Sequence, residues 1–384
     1  MKLAKLYAAL LAAAALIACA GGNPAADTTA PSTTAAPVTS AMPETTAAPV
    51  IGTLPLRTTQ VSRIGDKMDK FYKVKFADFV SDAEKFCLTP GLAENFVPQG
   101  LARGAGSGWL YVSGYDGDGK QASVIMVLDT AGTLIAEYIL HNADGSNFTG
   151  HVGGIAVTED MLYVSAGSDA DGNYIIAEFP LSELAVSGSQ ELRISRTVAV
   201  PMGASWLSYA DGILWVGNFY LKGSYDLGTI FNFTTTSADG KAYGGYAAAY
   251  DLHDAEIKAL TVADGEPYAI PDFILACPDR VQGFVCEDGV VGLSLSYGRS
   301  NNSTIAYYTV DLEKPDRTLE LGGRSYPFTV LDSRNQRASV TAMPMTEGLA
   351  PSGDGRVLVL FESGANKYSN ASFPTDMIWS MGYR

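Results

Sequence analysis

Short apolar runs separated by Asp/Gly turns recur five times along the chain. In each copy a small residue or glycine opens one apolar run, a turn follows, and a second apolar run ends in small polar residues. The copies begin near Gln99, Gly153, Ser205, Gln282 and Glu347, at intervals of 52 to 77 residues. Runs of β-branched and aromatic residues between turn residues are typical of strands. A hairpin repeated at such intervals predicts a radial array of small sheets.

The pattern predicts an all-β fold, a five-bladed β-propeller closed by pairing its N-terminal and C-terminal strands. The fifth repeat lacks one strand, and residues 71–76, where Tyr72, Val74 and Phe76 alternate with lysines, are predicted to supply it. Such closure removes the open edge of the ring. The only helical candidate is 81–85. The alternative is a six-bladed propeller with an extra blade within 77–96.

The first residues are typical of an export signal. Lys2 and Lys5 precede a short apolar stretch over 6–17, which ends in Leu16-Ile17-Ala18-Cys19. This ending resembles the lipobox of bacterial lipoproteins, which implies cleavage before Cys19 and a lipid, such as palmitate, on that residue. The alternative is ordinary secretion with an incidental cysteine.

Three regions follow from this interpretation: a signal peptide over 1–18, a lipidated cysteine with a tether over 19–52, and the propeller over 53–384. The tether is rich in Thr, Ala and Pro and nearly uncharged, which is typical of disordered linkers. The predicted location is extracytoplasmic, anchored through Cys19 to the lipid bilayer of a bacterial membrane, at the cell surface or in the periplasm.

Charge and cysteine content narrow the candidate partners. The net charge is −15 and no basic run occurs, which argues against nucleic acid. Beyond Cys19 there are three cysteines, enough for one disulfide with one thiol left over, and their spacing predicts no metal site. No cofactor is predicted, although calcium is an alternative at the Asp-rich turns near Asp116 and Asp169.

Candidate site residues lie in the loops that enter each blade and in the loops that join its second and third strands. In a propeller these loops share one rim. His151, flanked by glycines, and the pair Glu347 and Glu362 are candidate catalytic groups, since histidines and paired carboxylates perform acid–base chemistry. The predicted ligand-binding residues on the same rim are Gln99, Asp116, Ser205, Trp206, Asn218, Gln282, Tyr297, Arg299 and Lys367.

One further resemblance concerns the repeats. The Gln99-Gly-Leu and Gln282-Gly-Phe openings, with Leu-Tyr-Val-Ser-Gly after the first, are similar to the Gln-Gly-Leu hairpins of plant-type glutaminyl cyclotransferases, which are also five-bladed. That family has an acidic residue where this chain has Val112. The resemblance therefore implies the fold rather than that activity.

Three functions are compatible with these features. The first is a binding module whose rim captures a small polar ligand, a glycan or a peptide. The second is a glycan-active hydrolase or lyase that uses His151, Glu347 and Glu362. The third is a scaffold for another envelope protein. Fold alone does not separate them.

Overall fold

The structure, a computed structural model, describes residues 53–225 and 230–383. After a 3₁₀ turn, Gly65–Met68, come two short helices, α1 (Asp69–Lys75) and α2 (Ala77–Val80). Tyr72, Phe76 and Phe79 are buried, whereas Val74 is 85% exposed. Apolar residues at i, i+4 and i+7 form one face of a helix. The prediction that residues 71–76 form the closing strand was therefore wrong.

The ring is nevertheless closed by an N-terminal strand, as predicted. Strand β1 (Glu84–Leu88) follows the helices and pairs antiparallel with the last strand, with Lys85 opposite Trp379 and Leu88 opposite Met377. The helix predicted over 81–85 was wrong, because Glu84 and Lys85 already belong to this strand. The closing strand thus lies about ten residues later than the alternating run at 71–76 suggested.

Five blades follow, so the five-bladed prediction is confirmed and the six-bladed alternative is not. Blade 1 contains β2 (Phe96–Arg103), β3 (Leu110–Asp116), β4 (Val124–Leu128) and β5 (Leu134–His141). The segment of blade 2 contains β6 (Ile155–Val157), β7 (Met161–Ser168), β8 (Tyr174–Pro180), the intervening β9 (Gly188–Arg193) and β10 (Thr197–Val200). The segment of blade 3 contains β11 (Trp206–Ala210), β12 (Ile213–Gly217), the small hairpin β13 (Thr235–Thr236) and β14 (Ala242–Tyr243), β15 (Gly245–Asp251) and β16 (Phe273–Cys277).

The last two blades complete the ring. Their strands are β17 (Val281–Glu287), β18 (Val290–Leu295), β19 (Ser303–Thr309), the intervening β20 (Arg317–Leu321) and β21 (Arg324–Val330), and β22 (Gln336–Ala342) around blade 4; and β23 (Thr346–Pro351), β24 (Arg356–Phe361) and β25 (Met377–Gly382), joined by β1, in blade 5.

Three strands leave their own blade for a neighbouring one. Strand β9 lies between two strands of blade 2 in the chain but pairs in parallel with β5 of blade 1. The hairpin β20–β21 interrupts blade 4, and β21 pairs in parallel with β16 of blade 3. These additions cover the outer edges of blades 1 and 3, which would otherwise expose unpaired backbone groups.

The innermost strands of the five blades contact one another in order around the axis, and β23 contacts β2 to complete the ring. The approach is close. A Cβ atom at Gly283 would lie 2.5 Å from the carbonyl oxygen of Glu347, and one at Gly153 would lie 2.5 Å from that of Ser205. Glycine at these positions lets adjacent blades meet at the mouth of the channel.

The segment before the helices, residues 53–65, is called here the strap. Leu54 and Ser189 exchange backbone hydrogen bonds of 2.9 and 2.7 Å. The Arg57 amide and the Thr58 hydroxyl each donate to Glu137 at 2.6 Å. Its last residues bind Asp376 in blade 5, so the strap connects blade 1 to the blade that closes the ring.

The strap, the helices and the blades form the region predicted as the propeller domain. The predicted signal peptide, Cys19 and tether lie outside the described residues. Within residues 53–225 and 230–383 no helix is both long and apolar enough to span a membrane. The three cysteines of the propeller, Cys87, Cys277 and Cys286, are all buried and free, so the disulfide that their number allowed is not formed.

Candidate functional site

A cavity of about 620 Å³ opens at one end of the channel axis. Loops that enter the innermost strands and loops between second and third strands meet there, so the predicted rim exists. The lining is polar and aromatic. It includes Gln99, His151, Ser205, Gln282, Tyr297, Arg299, Glu347 and Glu362 together with Tyr115, Phe148, Tyr174, Phe219, Tyr225 and Tyr368.

Two glutamates of blade 5 form a hydrogen-bonded pair in this cavity. Glu347 lies in β23 and is 3% exposed, and Glu362 follows β24 on the adjacent strand. Their side chains hydrogen-bond to each other. The carboxyl groups are therefore in direct contact. Glycosidases need about 5–10 Å between their two carboxyl groups, with the shorter separation for retention and the longer one for inversion.

Glutamine amides from the two flanking blades hold this pair. Gln99 of blade 1 donates to Glu362 Oε2 at 2.9 Å and to its neighbour's carbonyl, that of Pro98, at 3.0 Å. Gln282 of blade 4 donates to Glu347 Oε1 at 3.2 Å. Within the described chain, the side-chain oxygens of both glutamines accept no hydrogen bond. The side-chain oxygens of Gln99 and Gln282 are therefore available to accept hydrogen bonds from a ligand, in a cavity that also contains the carboxyl oxygens of Glu362.

Burial raises the pKa of both carboxyl groups. For Glu347, loss of solvent is the largest cause, followed by the charge of Glu362, and its pKa lies well above the usual range. Loss of solvent also raises the pKa of Glu362, to about 7, although hydrogen bonds from Tyr368, Glu347 and Gln99 act in the opposite direction. Glu347 is thus the protonated partner that donates to Glu362, and the pair holds a single proton once Glu362 ionises, at pH values above about 7.

Aromatic rings form one wall of the cavity. The rings of Tyr115 and His151 stack with centroids 4.3 Å apart and planes 7° from parallel. Lys367 donates to the Tyr115 hydroxyl at 3.0 Å, and that hydroxyl lies 3.2 Å from the hydroxyl of Tyr368. Tyr368 in turn hydrogen-bonds to Glu362. A continuous chain of polar groups therefore runs from Glu347 to the surface amine of Lys367.

His151 lies at the solvent side of this wall and is exposed. Burial of part of the ring, and then the positive charge of Lys367, lower the pKa of His151. No residue in 53–225 or 230–383 forms a hydrogen bond with its ring nitrogens. The imidazole is therefore neutral at physiological pH and offers one donor and one acceptor to a ligand.

Two residues of the lining have backbone conformations that L-amino acids rarely adopt. Val152, three residues before β6, has φ of +49°, and Met345, immediately before β23, has φ of +67°. Positive φ is especially unfavourable for a β-branched residue such as valine. The Val152 carbonyl accepts a hydrogen bond of 2.6 Å from Ser113, which holds this conformation. Such strain concentrates at functional sites.

The structure brings eight of the predicted site residues to this cavity and places four elsewhere. Trp206 is buried, with its ring stacked 4.8 Å from that of Phe284, and Asn218 binds Gly244 and Tyr246 in the interior. Asp116 faces a different cavity, of about 370 Å³. Lys367 lies behind Tyr115. None of these four lines the axial cavity, so the structure gives no direct ligand contact for them.

The predicted calcium alternative has little support in the local geometry of these turns. Hydrogen bonds to Asp116 from Asn95 and from the amides of Lys120 and Gln121 outweigh partial burial and lower its pKa. Its oxygens thus already stabilise the turn. Among the described residues no three His, Cys, Asp or Glu side chains are grouped closely enough to hold a metal ion.

Sequence reasoning missed most of the aromatic lining. Tyr115 lies near the end of second strand β3 and Phe219 lies two residues after second strand β12, positions that the repeats mark, but Tyr174 begins a third strand. Tyr368 lies in a 3₁₀ turn, Asn366–Tyr368, in the loop after β24. Arg299, predicted as a ligand-binding residue, lines the cavity; its guanidinium lies 4.9 Å from the centre of the Tyr368 ring and donates to Asn370 at 2.8 Å.

The fold and site together define a five-bladed β-propeller with a polar axial cavity. No protein-family model matches the chain. No curated protein matches it either. Among solved structures, a PQQ-bound aldose sugar dehydrogenase from Streptomyces coelicolor is 17% identical, with a TM-score of 0.41, and the match covers 78% of this chain and 97% of that one.

A second similar structure is a GH43_1 enzyme from Xanthomonas citri complexed with xylose. It is 13% identical with a TM-score of 0.38, and the match covers 78% of this chain and 88% of the enzyme. These similarities are too low to indicate what the cavity binds. The function must be argued from the site itself.

Proposed function

We propose that this protein is a binding module whose axial cavity holds a small hydroxyl-rich ligand, a glycan fragment in particular. The observation that carries the proposal is the composition of the cavity. Acceptors from Gln99, Gln282 and Glu362 lie in the same cavity as several aromatic rings. Sugars present many hydroxyl donors and also flat apolar faces, which aromatic rings contact.

The charges of the site also favour an uncharged ligand. Once Glu362 ionises, the glutamate pair carries one negative charge, while Arg299 lies at the rim and Lys367 behind the aromatic wall. Groups of both signs therefore lie around the cavity. A strongly charged ligand would leave one of these groups without compensation, whereas a neutral polyol requires none.

Thermal unfolding and calorimetric titration of the full chain against a panel of mono- and disaccharides test the proposal. A ligand present well above its Kd should stabilise the fold by a few kcal/mol, about 2.7 kcal/mol at a hundredfold excess over Kd. His151→Ala should weaken binding about tenfold, equivalent to about 1.4 kcal/mol. His253→Ala, on an exposed loop outside the cavity, is the matched control. Equal affinities for the two variants, or no binding by any sugar, would reject the proposal and favour the scaffold function.

Acid–base catalysis on the same ligand is a second candidate, favoured by one observation. Glu347 and Glu362 hold a single proton, so one can accept a proton while the other donates. Their direct contact is not the spacing of a glycosidase, which makes proton removal and return, as in a lyase, the more consistent chemistry. Release of unsaturated or reducing products, lost in Glu362→Gln, would distinguish catalysis from binding.

We propose that the propeller acts outside the cytoplasm, anchored through Cys19. The Leu16-Ile17-Ala18-Cys19 sequence supports this location. Cys19→Ser should transfer the protein from the membrane fraction to the soluble fraction and abolish labelling by a palmitate analogue. Unchanged fractionation would contradict lipid anchoring but not ligand binding. The resemblance to glutaminyl cyclotransferases stays a prediction.

A further inference from the structure

We propose that the ligand is the end of a chain of sugar units, with the terminal unit in the cavity and the next unit stacked on an exposed aromatic platform at its mouth. This inference rests on the proposed function and names the class of ligand. The platform consists of Tyr297 in the loop of blade 4, with Phe219 and Tyr225 in the loop of blade 3.

Exposure is the first observation that points to a second binding surface. Tyr297 is 44% exposed and Tyr225 is 52% exposed, yet both line the cavity. The remaining described tyrosines of the lining, Tyr115, Tyr174 and Tyr368, are buried or half-buried. The two exposed rings therefore lie at the solvent side of the cavity, where a ligand extending outward must pass them.

The second observation is that the Tyr225 ring is packed against a neighbouring ring and that the backbone of Tyr297 is held in its loop. The Tyr225 ring contacts the Phe219 ring edge to face, with centroids 4.9 Å apart. The backbone of Tyr225 forms an isolated β-bridge with Leu221. Next to Tyr297, Asn301 donates to its carbonyl at 2.9 Å, which closes the loop. Exposed apolar groups that lie together and are rimmed by polar residues mark ligand-binding grooves. A ring fixed before binding also loses little conformational entropy when a ligand stacks on it.

The third observation is the asymmetry of the cavity. The hydrogen-bonding groups of the glutamate pair and the two glutamines come from blades 1, 4 and 5, whereas the exposed rings come from the loops of blades 3 and 4. A monosaccharide among the acceptors would leave the platform unused. A second unit linked to the first would place an apolar sugar face against Tyr297 or Tyr225.

The test is a chain-length series on the full chain: glucose, cellobiose and cellotriose, with xylose and N-acetylglucosamine series of the same lengths in parallel. In the series that binds, we expect the dimer to bind about tenfold more tightly than the monomer, equivalent to about 1.4 kcal/mol, because the second unit gains a contact with an aromatic ring. Tyr297→Ala should remove most of this gain, so that the ratio of dimer affinity to monomer affinity falls to about one. Tyr297→Phe, which keeps the ring, should retain it.

Phe71→Ala on α1 is the matched control, because Phe71 is also exposed, at 46%, and lies outside the cavity. Equal affinity for monomer and dimer would overturn the inference while leaving the proposed function intact. The same holds if Tyr297→Ala weakens the monomer and the dimer equally. Failure of every sugar to bind would overturn both.

Discussion

Asp376→Asn is the substitution for which the structure gives the clearest expected cost. Asp376 lies immediately before β25 and is 1% exposed. Its Oδ2 accepts four hydrogen bonds from the strap: the Ser62 hydroxyl at 2.9 Å and the amides of Arg63, Ile64 and Gly65 at 2.7, 2.7 and 3.2 Å. This single atom holds the end of the strap against blade 5.

The magnitude follows from the charge of the acceptor. A hydrogen bond to a charged group contributes ~1.5–3 kcal/mol, and a neutral one ~0.5–1.5 kcal/mol. The four hydrogen bonds share one acceptor atom, so their losses are less than additive, and the variant should lose about 2–4 kcal/mol of the free energy of unfolding. For a domain of this length that corresponds to a Tm lower by about 3–6 °C.

The assay is urea unfolding followed by intrinsic fluorescence, with Asp264→Asn as control because Asp264 is exposed. Burial of Asp376 disfavours its charge, but the bonds from the strap outweigh burial and lower its pKa. A depressed folded pKa contributes stability above the unfolded pKa, near 3.8, and loses it as pH falls through the folded value. The difference between wild type and variant should therefore be full at pH 7 and shrink below pH 4. A variant within about 0.5 kcal/mol of wild type at pH 7 would refute the reasoning.

Three further outcomes are expected. Gly283→Ala should destabilise the fold by about 1–3 kcal/mol in denaturant titrations, because its Cβ would collide with the Glu347 carbonyl. The control Gly106→Ala, which has open space around it, should be neutral. Equal effects of the two variants would contradict the close contact between blades. The affinity for a hydroxyl-donating ligand should rise as pH increases through about 7, because Glu362 ionises there and becomes a stronger acceptor. Glu362→Gln should abolish this pH dependence in calorimetry. A pH dependence that persists in the variant would belong to another group. Thiol labelling of the native protein should leave Cys87, Cys277 and Cys286 unmodified, because burial raises the pKa of their thiols, to about 12 for Cys87 and Cys286. Labelling before unfolding would show that the blades open.

The five blades could be predicted from sequence because they depend on local signals: short apolar runs, a turn of Asp, Gly or similar residues between them and, in every blade but the third, a glycine at the channel. The closing strand was misplaced for an instructive reason. In residues 71–76 the alternation of Tyr72, Val74 and Phe76 with lysines mimics a strand. The next aromatic, Phe79, completes the helical spacing of Tyr72 and Phe76, and only this longer window identifies the buried helix face.

The candidate site was predicted less completely, because pairing across blades is not encoded locally. Glu347 and Glu362 could be placed on one rim from the repeats, but their mutual hydrogen bond depends on how two strands meet. Trp206 occupies the position that glycine holds in other repeats, which suggested exposure at the channel. Its ring instead stacks inward on Phe284, a contact between blades 3 and 4 that no local pattern reports.

The strands exchanged between blades bear on how the molecule comes apart. In a stacked repeat protein each unit touches only its neighbours in sequence, and the array can fray unit by unit. Here the segment of blade 2 supplies β9 to blade 1, the segment of blade 4 supplies β20 and β21 to blade 3, and β1, which precedes blade 1 in the chain, completes blade 5. Removing blade 2 or blade 4 would therefore remove strands from a neighbouring blade. Unfolding should therefore be a single cooperative transition, with the slowest-exchanging amides of all five blades sharing one opening free energy.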